Sequence, residues 1–258
     1  MTDRSDEVIA KVSALSGGQL ALLDSMIETF LQPIRSWRNE DSDVADVTFL
    51  EAFGDILRLH HTLSDDYLDK HRFEAAMCRV FRAINKSCIR SPKNHPGHDI
   101  TVDDVAWSLK TQGDASIKLE VLHISKFMEL GKGRWETEAD LPGLRDRFLE
   151  HLKAYDRIFQ LRYFQSRDEQ NQLVHFYELV EIPKKLLMEC RRGVFEMRMG
   201  SRQNPKPGYC TVLDRKKTVK YQLYFDGGTE RKLQIKNLMK QFCQVHASWC
   251  FSDVSGPL

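Results

Sequence analysis

Within the run PGHDITVDDVAWSLK, residues 96–110, an aspartate at 99 and a lysine at 110 stand on successive strand-like stretches with ten residues between them. Asp99 follows a Pro-Gly turn signal in the short apolar segment HDI, and Val105, Trp107 and Leu109 alternate with Ala106, Ser108 and Lys110. Two-residue periodicity therefore places Ser108 and Lys110 on one face of their strand. A carboxylate at a strand end can hold a hard divalent cation, and a nearby ammonium can orient or deprotonate an attacking water. Together they suit phosphodiester hydrolysis. The same spacing also fits a turn-capping aspartate and a solvated lysine, so the surrounding elements have to decide.

Residues 67–87, YLDKHRFEAAMCRVFRAINKS, carry Phe73, Met77, Val80, Phe81 and Ile84 at helical spacing. After Lys110 the pattern predicts a third strand over 117–125, a helix from about Leu141 to Tyr155 and a fourth strand over 157–165. One carboxylate makes a poor metal site, so a second acid is needed. Glu74 shares a helical stripe with Met77 and Phe81, which aims it toward the sheet; it equally fits a glutamate at the edge of that face, paired with Lys70 or Arg79. Glu120 and Glu129 are held in reserve.

The order helix, three strands, helix, strand resembles the common core of the PD-(D/E)XK nuclease superfamily, with Asp99 and Lys110 in the motif positions. The pattern departs from that motif at two places: Ser108 stands where an acid would precede the lysine, and His98 where a proline would precede the aspartate. Longer stretches sharpen the likeness. LKT at 109–111, HISKFMELGKG at 123–133, RFLEHL at 147–152 and RIFQLRYF at 157–164, with ELVEIPK, GSRQNPKPGY and LYFDGGTERKLQIKNL farther on, resemble SmaI-like type II restriction endonucleases over roughly 97–249. The resemblance implies a homodimer that uses Mg2+ to cut both strands of double-stranded DNA at the centre of CCCGGG, leaving blunt ends. It also implies a cognate DNA methyltransferase working alongside.

Reading guanine in the major groove calls for donors that satisfy two acceptors at once, which an arginine fork does best. Arg198, Arg202 and Lys206 surround the RQNPKPG turn, which two prolines stiffen, and Arg202 is the foremost base-reading candidate. Arg231 and Lys232 follow the DGG turn, with Lys236 beyond them, and Lys126 and Lys132 follow the predicted third strand. All of these also suit phosphate contacts or plain solvated loops. Gln203 and Asn204 could serve base edges. The Asp226, Gln234 and Lys236 group reads as a DNA-contacting or structural element. His98 and His123 read as hydrogen-bonding groups rather than bases.

Composition admits this reading without demanding it. The chain has 258 residues, 41% hydrophobic, with 38 Lys and Arg against 37 Asp and Glu and a net charge of +1, which excludes a uniformly basic nucleic-acid binder. Basic groups must then be gathered locally. Six cysteines form no zinc spacing, no signal peptide or apolar run of about 18 residues is present, and reduced thiols in the cytoplasm are expected, with no membrane association. No glycine-rich nucleotide loop occurs. The expected fold is α+β: a helical region over 1–66, a nuclease core over 67–166 and a β-rich DNA-recognition or structural region over 167–258 built onto the same sheet, all continuous. Two other readings stay open: a catalytically silent DNA-binding protein, suggested by Ser108, and a nuclease of different specificity, such as a nicking or mismatch enzyme.

Overall fold

The computed structural model describes residues 2–92, 97–113, 117–131 and 134–252. Helices dominate the first part: α1 (Thr2–Val12), α2 (Gly17–Leu31), strand β1 (Arg35–Arg38), α3 (Val47–His61) and α4 (Lys70–Ala83). Then come β2 (Cys88–Arg90), β3 (Ile100–Val102), β4 (Val105–Gln112), β5 (Val121–Glu129), α5 (Leu141–His151), β6 (Arg157–Arg167) and β7 (Leu173–Glu181). A short α6 (Lys184–Met188) leads to β8 (Val194–Met197), β9 (Gly208–Leu213), β10 (Val219–Phe225), β11 (Lys232–Met239) and β12 (Gln244–Ser252). Among the described residues no helix is long and apolar enough to cross a membrane.

Local chemistry sets the helix starts. Ser16 and Gln19 form a reciprocal capping box at α2, Asp46 accepts from the Phe49 amide at α3, and Asp69 accepts from the Arg72 amide at α4. Pro33 lies just past the end of α2. Gly54, by contrast, leaves α3 unbroken. A Cβ there would come within 3.0 Å of both Ile34 and Trp249, so the glycine lets the β12 indole lie against the helix.

The protein is a mixed α+β fold with two sheets. The first has seven strands in the order β1-β12-β7-β6-β4-β3-β2, antiparallel except where β4 and β6 run parallel. Phe49, Phe53, Phe73 and Phe81 of α3 and α4 cover one face, meeting Trp107, Leu109, Phe159, Leu161 and Trp249. The other face presents Ile158, Val180 and Ile182 to Leu144 and Phe148 of α5 and to the second sheet, β5-β11-β10-β9-β8. Each such aromatic side chain, fully buried, stabilises the fold by about 1.5–3 kcal/mol.

Several expectations change. The third strand predicted over 117–125 does not join the core sheet; it is β5, and it pairs with β11 in the second sheet. The cause is that β4 already has β3 on one edge and β6 on the other. The first sheet instead gains β2 on the outer edge of β3, a three-residue strand too short for periodicity to reveal. Buried Arg162 fixes the departure of the chain from β4 by donating to the carbonyls of Lys118, Leu119 and Val121 while paired with Glu178 at 2.7 Å. The β-rich C-terminal part is likewise split: β7 and β12 extend the first sheet, whereas β8 to β11 belong to the second. The thiols are not all reduced. Cys78 of α4 and Cys88 of β2 are bonded, with Cα atoms 5.0 Å apart, because helix and strand pack side by side.

Candidate active site

The start of α4, fixed by the Asp69 cap, carries Lys70 and, one turn on, Glu74 on the same side. Glu74 is buried, as its stripe with Met77 and Phe81 predicts, and Arg90 of β2 donates to its Oε2 at 3.2 Å. Lys70 is the partner the spacing also allows: its Nζ lies 3.7 Å from Glu74 Oε1. The two readings of Glu74 coincide.

Asp99 stands immediately before β3, level with Ser108 of β4, because Ile100 pairs with Trp107. Its Oδ2 accepts from the Leu109 amide at 2.6 Å and the Ser108 hydroxyl at 3.3 Å, while its Oδ1 takes Lys70 Nζ at 2.6 Å. Ser108 is therefore not an idle replacement for an acid. It holds the aspartate.

Ser108 and Lys110 do share a face. Trp107 and Leu109 sit in the core beneath α3 and α4, while the Lys110 ammonium lies over the Phe127 ring of β5, 5.3 Å from its centre. Loss of hydration in this apolar setting, helped by the charge on Lys70 and opposed by Asp99 and Glu74, brings the Lys110 ammonium down to about 8. About a tenth of the side chain is then neutral at pH 7, far more than for an ordinary lysine. His151, at the end of α5, is also lowered, first by burial and then by Lys110. The Tyr155 phenol is pushed up by burial and by Asp99, and its hydroxyl has no hydrogen-bond partner among the described residues.

The structure thus brings Asp99, Glu74 and Lys110 together and adds Lys70, Arg90, His151 and Tyr155, which spacing along the chain did not single out. Only the four-residue step from Lys70 to Glu74 was visible as a signal. The reserve acids lie elsewhere: Glu129 pairs with Lys126 at 2.8 Å, and exposed Glu120 faces Lys240 at 3.9 Å. Among the described residues no group of three or more His, Cys, Asp or Glu side chains could together hold a metal ion. His98 is bonded to the Thr101 hydroxyl at 3.1 Å. Around His123 the contacts include its amide and carbonyl, which join β5 to Gln112 and Gln160 of the first sheet.

The candidate DNA contacts gather on the second sheet and its loops, in varied states. Arg198 stacks over Tyr209 at 5.0 Å and pairs with Glu196 at 3.4 Å. Arg202 is exposed on the loop. Lys206 donates to the Ser201 carbonyl and closes that loop, and its own carbonyl accepts from Trp135 Nε1 at 2.7 Å. Arg231 has a left-handed backbone, φ 41°, in the β10–β11 turn. Lys232 pairs with Glu230 at 3.1 Å, and Lys126 reaches the same glutamate at 2.5 Å. Lys236 lies 3.6 Å from the Tyr224 ring centre, with its ammonium lowered by burial and partly restored by Asp226. Lys132 falls outside the described residues. Asp226 itself accepts from Gln203, Gln234 and the Gly228 amide, latching the 200–207 loop to β11.

A family model described as SmaI, type II site-specific deoxyribonuclease, matches residues 8–251. The chain is also 43% identical over 221 residues to the type II restriction enzyme SmaI of Serratia marcescens, covering 84% of this chain and 85% of that one. No solved structure matches it significantly. With the family matched over most of its length, the chain belongs to the SmaI family of type II site-specific deoxyribonucleases.

Proposed function

We propose that this restriction endonuclease acts as a homodimer that hydrolyses both strands of DNA at the palindrome CCCGGG, leaving blunt ends, with Mg2+ as cofactor. The observation that carries the chemistry is the convergence of Asp99 and Glu74 on one ammonium position with Lys110 beside them. That position already suits a cation. Mg2+ typically takes one or two protein carboxylates and completes its shell with waters and phosphate oxygens, so this sparse acid set fits it. When bound, the ion would polarise the scissile phosphate and offset charge on the leaving 3′-oxygen.

The residues divide the remaining work. Asp99, gripped by the Leu109 amide and the Ser108 hydroxyl, offers a fixed ligand oxygen. Glu74 supplies the acid that the motif lacks at Ser108. Lys110, with its proton affinity lowered to about 8, receives a proton from the attacking water or orients it. Tyr155 offers a buried hydroxyl with a free hydrogen-bonding capacity, within the electrostatic reach of Asp99.

The sequence α4, β2, β3, β4, α5, β6, with β4 parallel to β6, supports reading this region as a PD-(D/E)XK core interrupted by β5. The pairing of β1 with β12 supports treating the regions 1–66, 67–166 and 167–258 as one continuous unit. A palindromic target calls for two-fold symmetry, each subunit reading one half-site. Arg202 is the proposed guanine reader, with Arg198, Lys206, Arg231, Lys232, Lys236, Lys126 and Lys132 contributing position and charge. The cytoplasm, beside a cognate methyltransferase, is the proposed setting. The test is incubation with Mg2+ and a plasmid carrying a single CCCGGG, followed by sequencing of both ends. Blunt cuts at its centre support the proposal; cuts elsewhere discard the specificity; an intact plasmid discards cleavage at this site, and cuts that persist with a chelator discard the metal reading.

A further inference from the structure

The ammonium of Lys70 lies 2.6 Å from Asp99 Oδ1 and 3.7 Å from Glu74 Oε1. The second oxygen of Asp99 is taken by the Leu109 amide and Ser108 hydroxyl, and the second oxygen of Glu74 faces Arg90 at 3.2 Å and His71 at 3.8 Å. Each acid therefore turns one oxygen toward the same cation. The two carboxylate side chains are only 10% and 14% exposed, whereas Lys70 is 41% exposed on a flexible four-carbon stem. The anions are held by the fold. The cation between them sits on the most exposed and most flexible of the three side chains.

We propose that Lys70 is a tethered placeholder: it neutralises Asp99 and Glu74 in the metal-free enzyme and is displaced when a divalent ion enters, so that it sets the affinity for that ion. This rests on the reading of Asp99 and Glu74 as metal ligands. Without a cation between them, two carboxylates turned toward one position repel each other. With Lys70 in place they stay oriented, and the ion meets a formed site rather than a collapsed one. The occupancy of Lys70 then lowers the apparent affinity by the fraction of time the position is open. Lys70 is a positioning residue and takes no part in bond breaking.

The experiment is Mn2+ titration of the full-length protein without DNA, followed by the electron paramagnetic resonance signal of free Mn2+. Lys70→Met is expected to bind Mn2+ about tenfold more tightly than the unaltered protein, as an occupancy of about nine-tenths predicts. Lys70→Arg keeps the competing charge and should gain little. Arg90→Gln removes an equal charge from the outer side of Glu74 and should gain less than Lys70→Met; an equal gain would reduce the effect to net charge and overturn the placeholder role. Unchanged or weaker binding by Lys70→Met would overturn it too. A melting-temperature deficit in metal-free Lys70→Met that saturating Mn2+ removes supports the proposal, and a deficit that persists makes Lys70 merely structural. Asp99→Asn separates the two ideas. If it leaves Mn2+ binding intact, the metal-ligand reading fails; if it abolishes binding while Lys70→Met changes nothing, only the Lys70 inference fails.

Discussion

Charged side chains gather in two regions of this protein, the corner where α4 meets β3 and β4 and the outer part of the second sheet, and the fold treats them differently. At the corner, Asp99 and Glu74 are held nearly out of water with a displaceable lysine between them, and half-buried Lys110 lies over Phe127. On the second sheet, Lys126 and Lys232 share Glu230, Lys206 closes its own loop, and Lys236 rests on Tyr224. Exposed pairs of the Glu230 kind are screened by water, add little to stability and exchange partners readily. On the proposed assignment, the contrast teaches that reactivity comes from charge the fold desolvates and leaves open to a ligand, while charge that is exposed and already neutralised serves as a reservoir for phosphate contacts.

The largest expected effect lies at the corner. Asp99→Ala and Lys110→Ala should each lower the cleavage rate at least about a thousandfold with DNA binding retained, as read by plasmid cleavage beside gel-shift titration. Full activity in either would collapse the distinction between the regions. Next comes the buried ion pair that routes the chain between the sheets: Arg162→Ala leaves Glu178 buried with Lys240 alone and should cost about 3–5 kcal/mol in urea unfolding. A loss below about 1 kcal/mol would show that the pair is not what holds β5 away from the first sheet.

Smaller effects sharpen the other side. Arg202→Ala should cost about 1–3 kcal/mol of discrimination between CCCGGG and single-base variants, while Lys232→Ala should weaken all DNA equally and flatten the salt dependence by about one charge. If Lys232→Ala altered sequence choice instead, the second sheet would hold its reader at the β10–β11 turn. The mildest is a pH profile. Only neutral Lys110 takes a proton, so the rate at saturating Mg2+ should climb as pH rises and level off above about 8. A rate independent of pH from 6.5 to 9 would remove the base role and leave Lys110 an electrostatic one.

Much of the corner was legible from sequence because its signals are local. Asp99, Ser108 and Lys110 lie within ten or so residues, where alternation fixes facing, and Glu74 declared its direction through Met77 and Phe81. Arg90 escaped notice because β2 is three residues long, and Tyr155 because a tyrosine ending a helix gives no periodic signal. The 117–125 segment was misplaced for a different reason: its alternation is that of a strand, and it is one, but alternation says nothing about which edge a strand will find.

By itself, then, the sequence determined the helix starts, the facing of Ser108 and Lys110, the burial of Glu74 and, through its long shared stretches, the family. These depend on residues a few positions apart and on similarity along the chain. The tertiary structure alone decided that β5 joins β11, that Cys78 meets Cys88, and that Lys70 comes to rest between Asp99 and Glu74. Each of those contacts depends on how layers pack and which strand edges remain open, and distance in space between residues 70 and 99 is not written in their spacing along the chain.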